Sequence, residues 1–274
     1  MKAAVIVCRN DNYGDNLHHR ARLCLDNLTA VFDTVFIVDW KCVQNTSLIE
    51  ALDYKSKNVV NIKITRDIIA KQYNHLSSLP LVEVIGRNIG IRQAIANGFD
   101  WICSTNIDII SNPFNELALD KDTLYTVRKY TVPEDIHLKQ PITLDFLNQN
   151  KHLFSLASMA VVDGQAVWDP GDIWSLVTGC GDFQLAHKTL WMAIKGFEEE
   201  MIGRTYADSN IMKKPILIGK KTAILDLDLY HLNHSSNAYR ESDEIKIPVN
   251  DRIKWVNNFI ETKNNEDWGV VEFS

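Results

Sequence analysis

The stretch from Gly86 to Pro113, GRNIGIRQAIANGFDWICSTNIDIISNP, limits the fold more than any other in the chain. Arg87-Asn88-Ile89-Gly90 reads as a loop that opens a helix. Ile91, Ile95 and Phe99 recur at helical spacing, and Asn97-Gly98 supplies a stop. Trp101 to Thr105 is a short apolar run, the mark of a buried strand. Asn106-Ile107-Asp108 ends that strand, and Asn112-Pro113 closes the segment after it. Side chains two apart on a strand share a face, so Asn106 and Asp108 are expected to point the same way. Hard oxygen ligands at the carboxyl end of a strand suit a divalent cation holding a diphosphate. The same residues also fit a plain helix–strand unit in which Asp108 caps the next turn.

Upstream, Ala3 to Cys8 is almost wholly apolar, as in a strand buried on both faces. A polar loop, Arg9 to Asp15, follows it. Asp15 or Asn16 can cap a helix whose apolar stripe is Leu17, Ala21, Cys24, Leu25 and Leu28. Thr34 to Val38 is a second buried strand that stops at Asp39-Trp40. Leu48 to Leu52 reads as a short helix, Val59 to Ile64 as a third strand, and Val82 to Ile85 as a short strand leading into Gly86. Strands alternating with helices over residues 1–110 predict a doubly wound α/β sheet with right-handed parallel crossovers. Ligands in such sheets gather at the carboxyl ends of the strands, where the Arg9 to Gly14 loop and Asp39 fall.

After Pro113 the rhythm changes. Leu124 to Thr131 is β-rich, whereas Pro133 to Asn150 shows no period and reads as an excursion over the site or toward an acceptor. Met159 to Val162 reads as a strand and Asp169-Pro170-Gly171-Asp172 as a turn. Asp182 can cap a helix with the stripe Phe183, Ala186, Leu190 and Ile194, ended by Gly196. Glu198, Glu199 and Glu200 then precede a loop that carries Asp208, and Ser209-Asn210 can start a new helix. Adjacent glutamates cannot all enter one pocket without repulsion, so Asp208 is the better-placed carboxylate. In Thr222 to His234, leucines 225, 227 and 229 alternate with Asp226, Asp228 and Tyr230, giving a half-buried strand. Asp226 and Asp228 form a rival acidic pair, but they fall mid-strand and should face solvent or a basic neighbour. His231 and His234 point to opposite sides of a continuous strand, so one of them is expected near a site unless the chain turns at Leu232. Asp251 to Glu261 has amphipathic helical spacing, and Asn264 to Ser274 either docks or hangs free.

Arg-Asn-x-Gly-Ile, the strand after it and the Asn106-x-Asp108 triplet resemble the nucleotide-sugar-dependent glycosyltransferases of the GT-A fold. The run G-D-F, W-x-x-I-x-G-F-x-E, D-S-N over Gly181 to Asn210 resembles their acceptor-side motif. Tyr230-His231-x-x-His234 resembles their late histidine, and the best match is to bacterial and viral members with N-x-D and Y-H-x-x-H. The resemblance implies an α/β GT-A fold: a Rossmann-like, mixed, mostly parallel sheet flanked by helices. It implies one catalytic domain over 1–274, with 1–113 as the nucleotide-sugar-binding half, 114–246 as the acceptor-side half, and 247–274 as a helix and tail. The implied activity is a hexosyltransferase type, moving sugar from a nucleotide-diphosphate sugar to a glycan, glycoprotein or small-molecule acceptor with Mn2+ or Mg2+. Arg9, Asn12, Tyr13, Asp39, Arg87, Asn88 and Asn106 would meet the donor. Asp108 would ligate the metal with His231 and His234, and Asp208 would take the acceptor proton. Two positions depart from the family pattern. Asn106 stands where an Asp is usual and keeps an oxygen without a charge. Ala207 stands where the closing Glu-Asp pair has its first carboxylate.

Composition excludes several other classes. The 274 residues carry a formal net charge of −6 and no basic stripe, which argues against a nucleic-acid partner. No apolar run reaches the roughly 18 residues of a membrane span, and Ala3 to Arg9 is too short for a signal peptide. Cys8, Cys24, Cys42, Cys103 and Cys180 are scattered without a C-x-x-C, as in reduced thiols, so a cytoplasmic location is expected. Two other functions are open. A nucleotidyltransferase of similar α/β architecture expects a Gly-rich loop after the first strand, where this chain has only Gly14. An inactive nucleotide-sugar-binding protein is raised by Asn106 and Ala207.

Overall fold

The computed structural model describes residues 1–40, 46–76, 81–156, 161–162, 165–166, 181–201, 207–235 and 264–272. In chain order the strands are β1 (Lys2–Cys8), β2 (Thr34–Trp40), β3 (Val59–Ile64), β4 (Trp101–Thr105), β5 (Ile109–Ser111), β6 (Thr123–Val132), β7 (Ser155–Leu156), β8 (Val161–Val162), β9 (Gln165–Ala166), β10 (Phe183–His187) and β11 (Lys221–Leu232). The α-helices are α1 (Leu17–Val31), α2 (Leu48–Ala51), α3 (Arg66–Gln72), α4 (Glu83–Ala96), α5 (Glu134–Lys139), α6 (Leu144–Gln149), α7 (Lys188–Ile194) and α8 (Ala207–Leu217).

The main sheet runs β3-β2-β1-β4-β10-β6-β11-β5, with β7 on the edge of β6. The first four strands of that order are parallel, as the alternating pattern predicts. β10 is antiparallel to both β4 and β6, β11 is parallel to β6, and β5 is antiparallel to β11. Alternate residues of β1 divide between two cores. Ala3 and Val5 pack with Ile85 and Ile89 of α4, while Ala4 and Ile6 pack with Leu17 and Ala21 of α1. That two-sided burial is why the strand is apolar at every position. A third core gathers Val132, Leu147, Phe154 and Tyr230 beneath the 133–156 excursion. Among the described residues, no helix is long and apolar enough to cross a membrane.

Several local readings are corrected. Arg87 to Gly90 is not a loop, and Val82 to Ile85 is not a strand: both belong to the start and body of α4. The glycines serve close packing, not a turn. A Cβ on Gly86 would lie 2.6 Å from Val7 Cγ1, and one on Gly90 would overlap Val5 Cγ1. Gly90→Ala is therefore expected to cost about 1–3 kcal/mol by overpacking. Its chemical-denaturation midpoint should fall, and an unchanged midpoint would show that α4 can slide outward.

Phe183 to His187 is a strand, not the first turns of a helix, and α7 starts after His187, whose Nδ1 accepts from the Thr189 amide at 3.3 Å. Both neighbours of this strand are sheet strands and all five of its residues are buried, so it shows no polar alternation. The 133–150 excursion holds two short helices, the second capped by Thr143. The cap of α1 comes from Asn12, whose Oδ1 accepts from the Leu17 amide at 3.3 Å, and not from the Asp15 or Asn16 side chain. Val161–Val162 is a strand, paired with β9. The tail docks: Trp268 is buried, Arg92 stacks on it at 5.1 Å, and Asn264 Nδ2 donates to the Lys195 carbonyl at 2.7 Å. The turn at Asp169 to Asp172 and the helix at Asp251 to Glu261 lie outside the described residues.

Candidate active site

β1 has β2 on one side and β4 on the other, so the chain reverses its direction across the sheet at this point. The crevice at the carboxyl ends of β1 and β4 is thus a switch point, where open α/β sheets bind ligands. The loop after β1 and the Asn106–Asp108 turn after β4 both open there.

Asn106 and Asp108 do not share a face, because the chain leaves the strand after Thr105 and turns at Ile107 and Asp108. Asn106 Oδ1 accepts from Arg87 at 2.6 Å, and its Nδ2 donates to Asp182 Oδ1 at 2.5 Å. Asp108 turns the other way. Its Oδ2 lies 3.7 Å from His231 Nε2 and 3.3 Å from His234 Nε2. Both histidines therefore reach it, and not one alone. β11 ends at Leu232, whose amide donates to the Asp108 carbonyl at 2.8 Å; the Asn233 amide bonds Val132 at 2.9 Å, and His234 lies past the strand, where strand alternation no longer sets its side.

The donor set fits a cation. One donor atom from each of Asp108, His231 and His234 lies within 4.8 Å of the others. Asp108 is buried, and its Oδ1 has no hydrogen-bond partner among the described residues. His234 Nδ1 sits 3.0 Å from the Ser235 carbonyl, which can only accept, so that nitrogen carries the proton. With one proton only, the ring turns its Nε2 lone pair on the Asp108 carboxylate, which is repulsive unless a second proton or a cation lies between them. Separations of 3.3 and 3.7 Å are those of ligands about 2.1 Å from one ion at angles of roughly 100–125°. Burial pushes the Asp108 carboxyl up; protonated imidazoles at His231 and His234 outweigh this and hold it well below the usual carboxylate range, a part that a cation would take over when the rings are neutral.

The other expected residues surround this centre in different ways. Arg9 pairs with Asp11, and the Tyr13 ring meets His234 edge-on with centroids 4.9 Å apart. Asn12 is exposed on the same loop. Asp39 stands at the end of β2 as expected but is fully buried, and its Oδ2 accepts from the Leu48 amide at 2.5 Å, fixing the start of α2. Arg87 is buried under the Asn106 turn, donating to Ser104 Oγ at 2.6 Å and to Glu83 at 3.0 Å. Asn88 faces away from the crevice: its amide bonds both the N–H and the carbonyl of Phe197 at 2.8 Å, and Glu199 at 3.0 Å. Asp226 pairs with Arg128, and Asp228 with Lys151 at 2.7 Å, so the rival acidic pair meets basic neighbours as the sequence predicts.

Asp208 lies in the first turn of α8 and not in a loop. Its carboxylate packs on Gly181 so closely that a Cβ there would overlap it. Burial pushes the Asp208 carboxyl up to about 6; Arg87 pulls it down, while Glu83 and Asp182 push it further up. Two of the neighbouring glutamates are committed elsewhere. Glu198 forms a buried pair with Lys214 at 2.6 Å, and Glu199 accepts from the Gly269 amide at 2.8 Å.

No family model matches the chain, and neither does any curated protein. Solved structures do. A crystal structure of GalNAc-T7 with UDP, GalNAc and Mn2+ aligns with a TM-score of 0.52 and 11% identity, over 85% of this chain and 44% of that one. The chain has the GT-A fold. A crystal structure of S. aureus TarS aligns over 85% of this chain and 36% of that one, with a TM-score of 0.48 and 12% identity. The chain thus spans less than half the length of either structure.

Two residues of this candidate site escaped sequence reasoning. Asp182, read as a helix cap, bridges Asn106 and Lys129 beside Asp208. Arg20 is fully buried on the stripe of α1; burial pulls its guanidinium down, and Asp108 is the charge that offsets this most. Its signal was legible: an arginine among Leu17, Ala21 and Cys24 breaks an apolar face and calls for buried partners.

Proposed function

We propose that this chain is a metal-dependent glycosyltransferase of hexosyl type that draws sugar from a nucleotide-diphosphate donor. The convergence of Asp108, His231 and His234 at the switch point, with Asp108 Oδ1 unpartnered among the described residues, carries this reading. Bound at these residues, Mn2+ or Mg2+ would act as a Lewis acid on the leaving diphosphate. Two imidazoles in the donor set suit a transition ion better than Mg2+. The Arg9 to Tyr13 loop forms the wall beside the diphosphate, and Arg87 and Asn106 brace the turn that presents Asp108. Asp39 acts through the start of α2. Asp208 takes the proton of the acceptor hydroxyl, the acceptor being a glycan, glycoprotein or small molecule reached from the 114–246 side. The GT-A structure that holds UDP, GalNAc and Mn2+ supports this donor class.

A thermal-shift panel of UDP, GDP and their sugars, with and without Mn2+, tests the reading. A bound donor at one hundred times its Kd should stabilise the chain by about 2.7 kcal/mol. Stabilisation by a nucleotide diphosphate should require the cation. A panel in which no nucleotide raises the melting temperature, with or without Mn2+, overturns the proposal.

A further inference from the structure

The three donors of the cation site are not held equally. Asp108 and His231 are fixed by sheet ladder bonds: His231 pairs with Ile109 of β5, and Leu232 bonds the Asp108 carbonyl. His234 lies beyond the end of β11, and it is walled by the loop after β1. The Tyr13 ring meets it edge-on, and the Gly14 Cα presses so close that a Cβ there would overlap the imidazole. Ser235 Oγ donates to Asp15 Oδ2 at 2.7 Å, which ties the next residue to the same loop.

That loop runs largely through left-handed backbone. Asn12, Gly14, Asp15 and Asn16 take positive φ values of 54°, 67°, 57° and 49°. Asn and Asp enter this region more readily than other side chains, but three of them beside a glycine in five residues leave a run outside helix and strand, with no ladder of its own to fix it. The loop closes around one group. The guanidinium of Arg20 donates to the carbonyls of Tyr13 at 2.6 Å, of Gly14 at 3.2 Å, and of Asp15. Arg20 is 0% exposed. A buried cation whose two terminal nitrogens are given to loop carbonyls is costly to keep, and the rigid guanidinium fork holds several carbonyls in one fixed geometry.

We propose that Arg20 is a positioning residue for His234: by gripping the Tyr13–Asp15 loop it fixes the third donor of the cation site. This rests on the metal reading above and adds a residue that touches neither cation nor donor. Mn2+ alone is titrated into the full chain, and the free-ion electron paramagnetic resonance signal is followed, with no nucleotide present. Arg20→Gln should raise the Kd for Mn2+ by about 10–100-fold, the cost typical of losing an outer-shell support. Arg20→Lys, which keeps the charge and loses the fork, should fall between the two. Spin-echo modulation should count two imidazole nitrogens on Mn2+ in the wild type and one in Arg20→Gln. Gly14→Ala, which pushes on the imidazole directly, should give the same loss and serves if Arg20→Gln does not fold. A wild type that binds no Mn2+ overturns the metal reading and this inference with it. A wild type that binds Mn2+, beside folded Arg20 and Gly14 variants with unchanged Kd and two coordinated nitrogens, overturns this inference alone.

Discussion

Asp208→Asn should lower the turnover number of sugar transfer by about two to four decades while the donor Kd stays near that of the wild type. The substitution keeps the shape that packs on Gly181 and removes the proton acceptor. Burial, aided by Glu83 and Asp182 and opposed by Arg87, holds this carboxyl up to about 6, which is where a general base needs to be to work near neutral pH. A base acts only when ionised, so transfer at saturating donor and Mn2+ should rise with pH through about 6 and level off above it. The Asn variant should lack that limb. Donor affinity that falls together with turnover would instead mean that Asp208 shapes the donor site. Near-normal transfer by the Asn variant would move the base elsewhere. Glu199→Gln makes the contrast, since Glu199 ties Asn88 to the Gly269 amide and its loss should lower stability before it alters chemistry.

The parts of this site that could be read from the chain were those set by local pattern. The first strands are continuous apolar runs because both faces are covered, and the end of each such run lies at the carboxyl edge of the sheet, where ligands of open α/β sheets gather. Asp39, Asp108 and the Arg9 loop were placed that way. What failed were positions where tertiary packing overrides local preference. Gly86 and Gly90 suggested a loop on propensity, but their missing side chains let α4 settle on Val5 and Val7. Phe183 to His187 carried no alternation because the strand has sheet on both edges and cover on both faces. The pairing of both histidines with one carboxylate depended on β11 ending at Leu232, so that His234 escapes the strand alternation, which no spacing rule contains. Asn88 was assigned to the donor with Arg87, yet successive helical residues point about 100° apart, and the structure gives one to the turn after β4 and the other to Phe197.

Asp108→Asn should abolish the part of nucleotide stabilisation that depends on Mn2+, whereas Asp228→Asn should leave it intact. Both changes replace the last carboxylate of an x-x-Asp triplet by its amide, so the contrast isolates position from chemistry. At Asp108 the change removes the one negative charge among the three donors. The new amide can donate to the Nε2 lone pair of His234, so the fold should survive while the cation site is closed by a hydrogen bond. Loss of outer-shell support typically costs 10–100-fold in metal affinity, so loss of the charged ligand itself should raise the Mn2+ Kd by at least about a hundredfold. At Asp228 the change breaks a partly exposed pair with Lys151, the lysine side chain being 41% and the aspartate 17% exposed. Pairs of that kind are worth about 0–1 kcal/mol, so only a small fall in melting temperature is expected. The measurement is a thermal shift for each variant with nucleotide diphosphate alone, Mn2+ alone, and both. Equal loss of the Mn2+-dependent shift in the two variants would undo the choice of Asp108. A loss confined to Asp228→Asn would move the cation to the Asp226–Asp228 pair and leave the facing imidazoles of His231 and His234 to be explained by a shared proton.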